Sequence, residues 1–171
     1  TTFCDMYFHM SEVAMATESS GMRAVLGQGV VTVGKNEDDA YLDAEKGLKF
    51  AEEYSGFAGG RIKTAFMPHS MNTVDLEYFE EHIPRARDLG IPIHLHTNET
   101  LEDVEKTSKM HGMRPIELAS EYNILSSGDF AAHCVHVDSN EIGILADEGI
   151  GVVHCPASNM KLASGIAPIQ K

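Results

Sequence analysis

The chain has 171 residues, 43% of them hydrophobic and 23% charged, which is enough apolar material for one core and rules out a wholly disordered chain. A formal net charge of −13 excludes nonspecific binding to nucleic acid or to an anionic membrane, both of which need clustered Lys and Arg. The surplus acid falls in runs such as Asn36-Glu37-Asp38-Asp39 and Glu77 to Glu81, where a helix would face water.

Read in chain order, short apolar β-prone runs alternate with longer amphipathic stretches. Strands are predicted at Thr2–Tyr7, Arg23–Val31, Ile62–Met67, Ile91–His96, Phe130–His136 and Ile150–His154. They are nearly continuous apolar runs, as in strands covered on both faces. Between them, Tyr41 to Tyr54 predicts a helix whose stripe is Tyr41, Ala44, Leu48 and Ala51. Val74 to Leu89 predicts another, with Leu76, Phe79, Ile83 and Ala86 inward and Gly90 as its stop. Pro115 marks the first turn of a helix reaching about Tyr122. Asp138-Ser139-Asn140-Glu141 reads as a capping box opening a helix that Gly149 ends. Repeated strand–helix alternation implies a parallel sheet with crossover helices, in either an open sheet or part of an eight-stranded barrel.

Histidines stand at the C-terminal ends of four successive predicted strands: His69, then His94 and His96, then His133 and His136, then His154. Sites in barrels and open α/β sheets form at that end of the strands, so these imidazoles are expected to converge as a metal or catalytic cluster. Alternation puts His94 and His96 on one face, and His96, nearer the open end, is the better ligand candidate. Glu99 follows three residues later, placed to move protons to and from a water whose pKa a metal lowers; the bland alternative is an acid favoured by a helix N-terminus. In a regular strand His133 and Val135 face one side and Cys134 and His136 the other, so His133 is the catalytic candidate and His136 marks the strand exit. His9, His82 and His111 read as surface or packing residues.

The three cysteines, Cys4, Cys134 and Cys155, do not suggest a disulfide framework, and a reducing cytoplasmic setting is expected; Cys155 reads as a small buried residue. No apolar run has the length of a membrane span and no signal segment is seen. Thr1-Thr2-Phe3-Cys4-Asp5 already reads as strand and Ile166 to Lys171 lacks a terminating element, so the chain is expected to be an internal piece cut at both ends.

These motifs carry a family resemblance over essentially the whole chain. Thr2-Phe3-Cys4-Asp5-Met6-Tyr7, Gly21-Met22-Arg23-Ala24, Pro68-His69-Ser70, His96-x-x-Glu99-Thr100, Ala132-His133-Cys134-Val135-His136 and the run from Pro156-Ala157-Ser158-Asn159-Met160-Lys161-Leu162 to Pro168 resemble, in order, the amidohydrolase superfamily. Within it they resemble the 5-methylthioadenosine/S-adenosylhomocysteine deaminases, with chlorohydrolases and guanine or cytosine deaminases beside them. The resemblance implies a metal-dependent (β/α)8 TIM barrel, an α/β fold of which residues 1–171 form one partial domain covering about strands two to seven. It implies one Zn2+, or sometimes Fe2+, per subunit, with His96 as a metal ligand, Glu99 as proton shuttle and substrate contact, His133 orienting the attacking water, and His69 contacting substrate. The family's His-x-His pair and strand-eight Asp, its remaining ligands, have no counterpart in this chain, so the chain by itself is expected to be inactive. Met71-Asn72 stands where relatives commonly carry Pro-Tyr, and Gln28 and Ala44 where some place substrate-binding arginines.

The implied activity is hydrolytic deamination of an adenosine-type nucleoside (5-methylthioadenosine, S-adenosylhomocysteine or 5′-deoxyadenosine) with release of ammonia. The implied partners are a small-molecule nucleoside or base and further copies of the protein in a homo-oligomer, with no nucleic acid and no membrane. Two alternatives remain open: a chlorohydrolase or a guanine or cytosine deaminase of the same superfamily, and a metal-free structural or interaction module. The module would leave two unpaired sheet edges.

Overall fold

A computed structural model describes residues 1–170 and divides the chain into two compact units. Unit 1 holds Thr1–His69 and Thr73–Ile93; unit 2 holds Ser70–Asn72 and the chain from His94 on.

Unit 1 runs β1 (Thr2–Tyr7), α1 (Met10–Ser20), β2 (Arg23–Val30), α2 (Glu37–Glu53), the short kinked α3 (Phe57–Gly60), β3 (Ile62–Thr64), β4 (Met67–Pro68) and α4 (Leu76–Asp88). All its strand pairs are parallel: β1 on β2 with Thr2 opposite Arg23, then β2 on β3 with Ala24 opposite Ile62, and β2 on β4 with Gly29 opposite Met67. Met10, Ala14, Ala24, Leu26, Phe50 and Ile62 form the core between sheet and helices.

The predicted strand Ile62–Met67 is thus found as two pieces, and the cause is a close approach. A Cβ on Gly27 would lie 2.7 Å from the Ala65 carbonyl oxygen and 2.2 Å from Met67 Cγ. The chain at 65–67 therefore folds down onto the bare backbone of β2, and Phe66 makes a single parallel bridge to Ile93 instead. Gly27→Ala is expected to destabilise the protein by about 1–3 kcal/mol, the usual cost of overpacking, read as a lower urea midpoint at unchanged m-value.

α2 opens as its sequence asks. The Asn36 side chain accepts the Asp39 backbone N–H at 2.9 Å, and Glu37, Asp38 and Asp39 fill the first turn, where the helix dipole favours negative charge. Its buried face is Ala40, Ala44, Gly47, Leu48 and Ala51, with Phe50 beside it. Ala40 rather than the expected Tyr41 begins that face; Tyr41 is 43% exposed and meets the His82 ring edge-on. On α4, Phe79, Ile83 and Ala86 are buried as expected, Leu76 only half so. His82 is fully buried in unit 1, bonded to the Tyr78 carbonyl and to Glu45, which also pairs with Arg85.

Unit 2 runs β5 (His94–Thr97), α5 (Leu101–His111), α6 (Pro115–Glu121), β6 (Phe130–His133), α7 (Ser139–Asp147), β7 (Gly151–Val153) and α8 (Pro156–Lys161). Its sheet is parallel in the order β5-β6-β7, with His94 opposite Phe130, Thr97 opposite His133, and Phe130 opposite Gly151. Local chemistry sets the helix starts: a Thr100/Asp103 capping box for α5, Pro115 in the first turn of α6, and the expected Asp138/Glu141 box for α7. Gly112 and Gly149 take positive φ after their helices, the left-handed stop that glycine adopts without a Cβ clash. Val152 on β7 is 45% exposed within residues 1–170.

The strand expected to run from Phe130 to His136 stops at His133. His133 and Cys134 take φ of 75° and 46°, a left-handed conformation uncommon for residues with side chains. The Cys134 N–H bonds back to the Ala132 carbonyl at 3.2 Å, closing a γ-turn of the rare, strained hand. Strand alternation therefore no longer governs where residues 134–136 point.

None of Cys4, Cys134 and Cys155 is in a disulfide. Cys155 is half-buried rather than buried, its thiol directed at the Val153 carbonyl. Burial, helped by the Glu141 charge, pushes the Cys134 thiol up to about 12, so it stays protonated and inert. Under native conditions iodoacetamide is expected to label exposed Cys4 well before Cys134, with equal labelling only after unfolding; peptide mass spectrometry reads the order. Among the described residues, no helix is long and apolar enough to cross a membrane.

Candidate active site

The histidine-bearing ends of β5 and β6 meet in unit 2. His94 is buried, stacked on the Phe130 ring at 4.3 Å, and its Nδ1–H donates to the Phe130 carbonyl at 2.8 Å. Burial pushes His94 down to about 4, which leaves a neutral ring and a packing role. His96, two residues on, is only half-buried. Its ring centroid lies 5.9 Å from that of His94 and 5.3 Å from that of His133. Of the two β5 histidines, His96 is the one with access.

Glu99 lies outside α5. Thr100 is the N-cap, and the first-turn acids are Glu102 and Asp103, so the helix-acid reading does not describe it. Its carboxylate instead approaches His133, with Oε2 3.5 Å from Nε2, while the Ser164 hydroxyl stands 3.5 Å from Oε1. His133 is buried and its other ring nitrogen meets Asn159 at 2.8 Å. The structure thus brings His96, Glu99 and His133 together.

This rim is held by backbone crossings and one buried carboxylate. The Thr97 carbonyl accepts the Cys134 N–H at 3.1 Å, and the Asn98 carbonyl accepts the N–H groups of Val135 and His136 at 3.0 and 2.9 Å. Glu141 is fully buried beneath them. It accepts from Asn98 Nδ2 on both oxygens, from Arg114 through Nε and a terminal nitrogen, and from the backbone of Ile116 and Asp138. Arg114 also donates to the His136 carbonyl at 2.6 Å and pairs with Asp138. His136 itself bonds the Ser164 carbonyl at 2.7 Å through Nε2, a structural part in keeping with its place at the strand exit.

His69 belongs to unit 1. It follows β4, its N–H donates to the Val30 carbonyl at 3.0 Å, and its Nδ1 meets the Thr73 hydroxyl at 2.8 Å. His154 is exposed at the end of β7, beside a cavity lined by Cys134, Val137, Ile142, Ala167 and Pro168. Met71 and Asn72 are buried, and the Asn72 amide bonds the Asp103 carbonyl and the Thr107 hydroxyl, so Asn72 is structural. The sequence alone assigns no role to Asn98, Arg114, Asn159 or Ser164 and gives Glu141 only a cap; Asn159 to Ser164 stand within one of the family motifs.

The donor set suits a divalent metal in part. His96 offers an accessible imidazole beside the His133 ring, and Glu99 faces that same ring; imidazole nitrogen and carboxylate oxygen are ligands that zinc takes. A catalytic zinc needs three protein ligands and an open position. No group of three ligating side chains converges among the described residues.

Residues 1–171 match the profile of the Amidohydrolase family. Two similar curated proteins are both called 5-methylthioadenosine/S-adenosylhomocysteine deaminase. The protein from Natronomonas pharaonis is 56% identical over 100% of this chain and 40% of its own length. That from Haloquadratum walsbyi is 53% identical over 99% of the chain and 38% of its own. Among solved structures, a zinc-bound adenosine deaminase from Xanthomonas campestris superposes with a TM-score of 0.86 at 30% identity, covering 99% of this chain and 38% of that one. The chain therefore spans about two fifths of the length of the curated relatives it matches.

Proposed function

The chain belongs to the amidohydrolase family, as a partial stretch of its TIM barrel, and from that premise we propose that it carries the proton-handling side of a metal-dependent nucleoside deaminase. The substrate is an adenosine-type nucleoside such as 5-methylthioadenosine, S-adenosylhomocysteine or 5′-deoxyadenosine, and the product amine leaves as ammonia. One observation carries the reading: the Glu99 carboxylate facing His133 Nε2 at 3.5 Å beside the half-buried His96.

In this reading His96 is a metal ligand, and the remaining ligands come from parts of the protein outside residues 1–171. The metal, zinc or iron, supplies the Lewis acidity that makes water a nucleophile near neutral pH. The reaction forms a C–O bond at the amino-bearing ring carbon and breaks the C–N bond. Glu99 takes a proton from the attacking water and delivers it to the departing nitrogen, as a general base and then acid. His133 holds the attacking water in line, a role that needs a fixed ring. The product and substrate are small molecules, and the −13 charge gives no anchor for nucleic acid.

Metal analysis of the whole protein, followed by ammonia release from a nucleoside panel, tests this. Roughly one divalent ion per subunit, as a single three-ligand catalytic site implies, with ammonia from one of these nucleosides is the expected result. Chloride release from a halogenated triazine, or turnover of guanine or cytosine alone, would move the protein to a neighbouring activity.

A further inference from the structure

Asn159 on α8 is 1% exposed, and its side chain makes a single hydrogen bond among the described residues, Oδ1 to His133 Nδ1 at 2.8 Å. An amide oxygen can only accept, so Nδ1 of His133 must donate. A neutral imidazole has one N–H, so its Nε2 is left as an acceptor. Nε2 is the atom that faces Glu99 at 3.5 Å. Both facing atoms then accept, and the partner that satisfies them together is a molecule with O–H or N–H bonds to give, such as water or an amine.

Two further features tie Asn159 to this arrangement. Among the described residues its Nδ2 is buried without a partner, and such an orphan is costly to keep. Its carbonyl accepts the Ser164 N–H at 2.9 Å, and Ser164 in turn faces Glu99 with its hydroxyl and His136 with its carbonyl. The stretch from Asn159 to Ser164 thus reaches both groups assigned to proton transfer and orientation.

We propose that Asn159 is a positioning residue that fixes the ring orientation and the Nδ1–H tautomer of His133, presenting Nε2 to the reacting water as an acceptor. Its effect on turnover rests on the deaminase reading above, whereas the tautomer does not. The relevant comparison is a metal-ligating or catalytic histidine oriented by an outer partner, whose loss typically costs about 10–100-fold in activity.

The test uses the whole protein with Asn159→Leu, Asn159→Asp and each change combined with His133→Ala. Asn159→Leu is expected to lower kcat about 10–100-fold with KM little changed and metal content intact. Asn159→Asp keeps an acceptor oxygen and is expected to recover most of that loss. In the His133→Ala background, Asn159→Leu should cost nothing further, because its action runs through that ring. A full additional loss there would overturn the proposal. Nitrogen NMR of the His133 ring gives a readout independent of turnover: Nδ1 protonated in the native protein, and a tautomer mixture in Asn159→Leu. A native ring protonated at Nε2 alone would overturn the proposal even in an active enzyme. If no nucleoside is deaminated, the functional reading fails and the NMR result still decides for or against Asn159. Should Asn159→Leu not fold, Asn159→Ser carries the same comparison.

Discussion

Glu99→Gln in the whole protein is expected to keep its metal and lose about two to four orders of magnitude in turnover, the usual worth of a positioned general acid–base group. The amide preserves the shape of the side chain and can still face His133 and Ser164, the two neighbours of the native carboxylate. It cannot take up and return a proton. Its metal content should be native, because Glu99 is assigned no ligand role. His96→Ala is the opposite case: it removes the accessible imidazole of β5, and the metal should fall with the activity. Elemental analysis beside an ammonia assay separates the two. Native rates in Glu99→Gln would end the shuttle assignment, and full metal occupancy in His96→Ala would end the ligand assignment.

Glu141→Ala is expected to cost about 3–5 kcal/mol of stability, the range for breaking a buried ion pair from one side. The side chain is fully buried and is the common acceptor for Asn98, Arg114 and two backbone N–H groups. Truncation leaves a guanidinium and several buried donors without their acceptor, and each unmet donor adds its own desolvation cost. Because Asn98 is also the residue before Glu99, activity should fall along with stability. Urea unfolding of the whole protein gives the measurement; a loss under about 1 kcal/mol, the size of an exposed pair, would show that the cluster is not held as described.

What could be read in the sequence was mostly what is local. The capping box at Asp138 and Glu141, Pro115 in a first turn and the stop at Gly90 each depend on neighbours within a few residues, and each is found. The parallel strand–helix alternation was legible because apolar period and turn chemistry agree along the chain. The errors are non-local. The break between β3 and β4 depends on Gly27, which is 38 residues before Ala65 in the chain. Ala40 is buried on α2 where Tyr41 is expected, and the Tyr41 ring meets His82, 41 residues further along the chain.

The site divides in the same way. His96 and Glu99 stand in one stretch, where a strand end followed by a carboxylate is a local pattern. His133 was chosen over His136 by assuming regular alternation, yet the backbone turns at His133 itself. In the structure His133 faces Glu99, while His136 is engaged by the Ser164 carbonyl. Glu141 showed its cap role and concealed its larger one, because its partners Asn98 and Arg114 lie 43 and 27 residues away.

The tight turn at His133 and Cys134 bears on how substrate can enter. Left-handed backbone at two side-chain-bearing residues is retained only where its surroundings over-determine it, and here the following amides are clamped to Thr97 and Asn98. Such a segment is a poor pivot, since swinging it would release three crossings at once. Any motion that opens the proposed site must hinge somewhere else, leaving this corner as the stationary jaw.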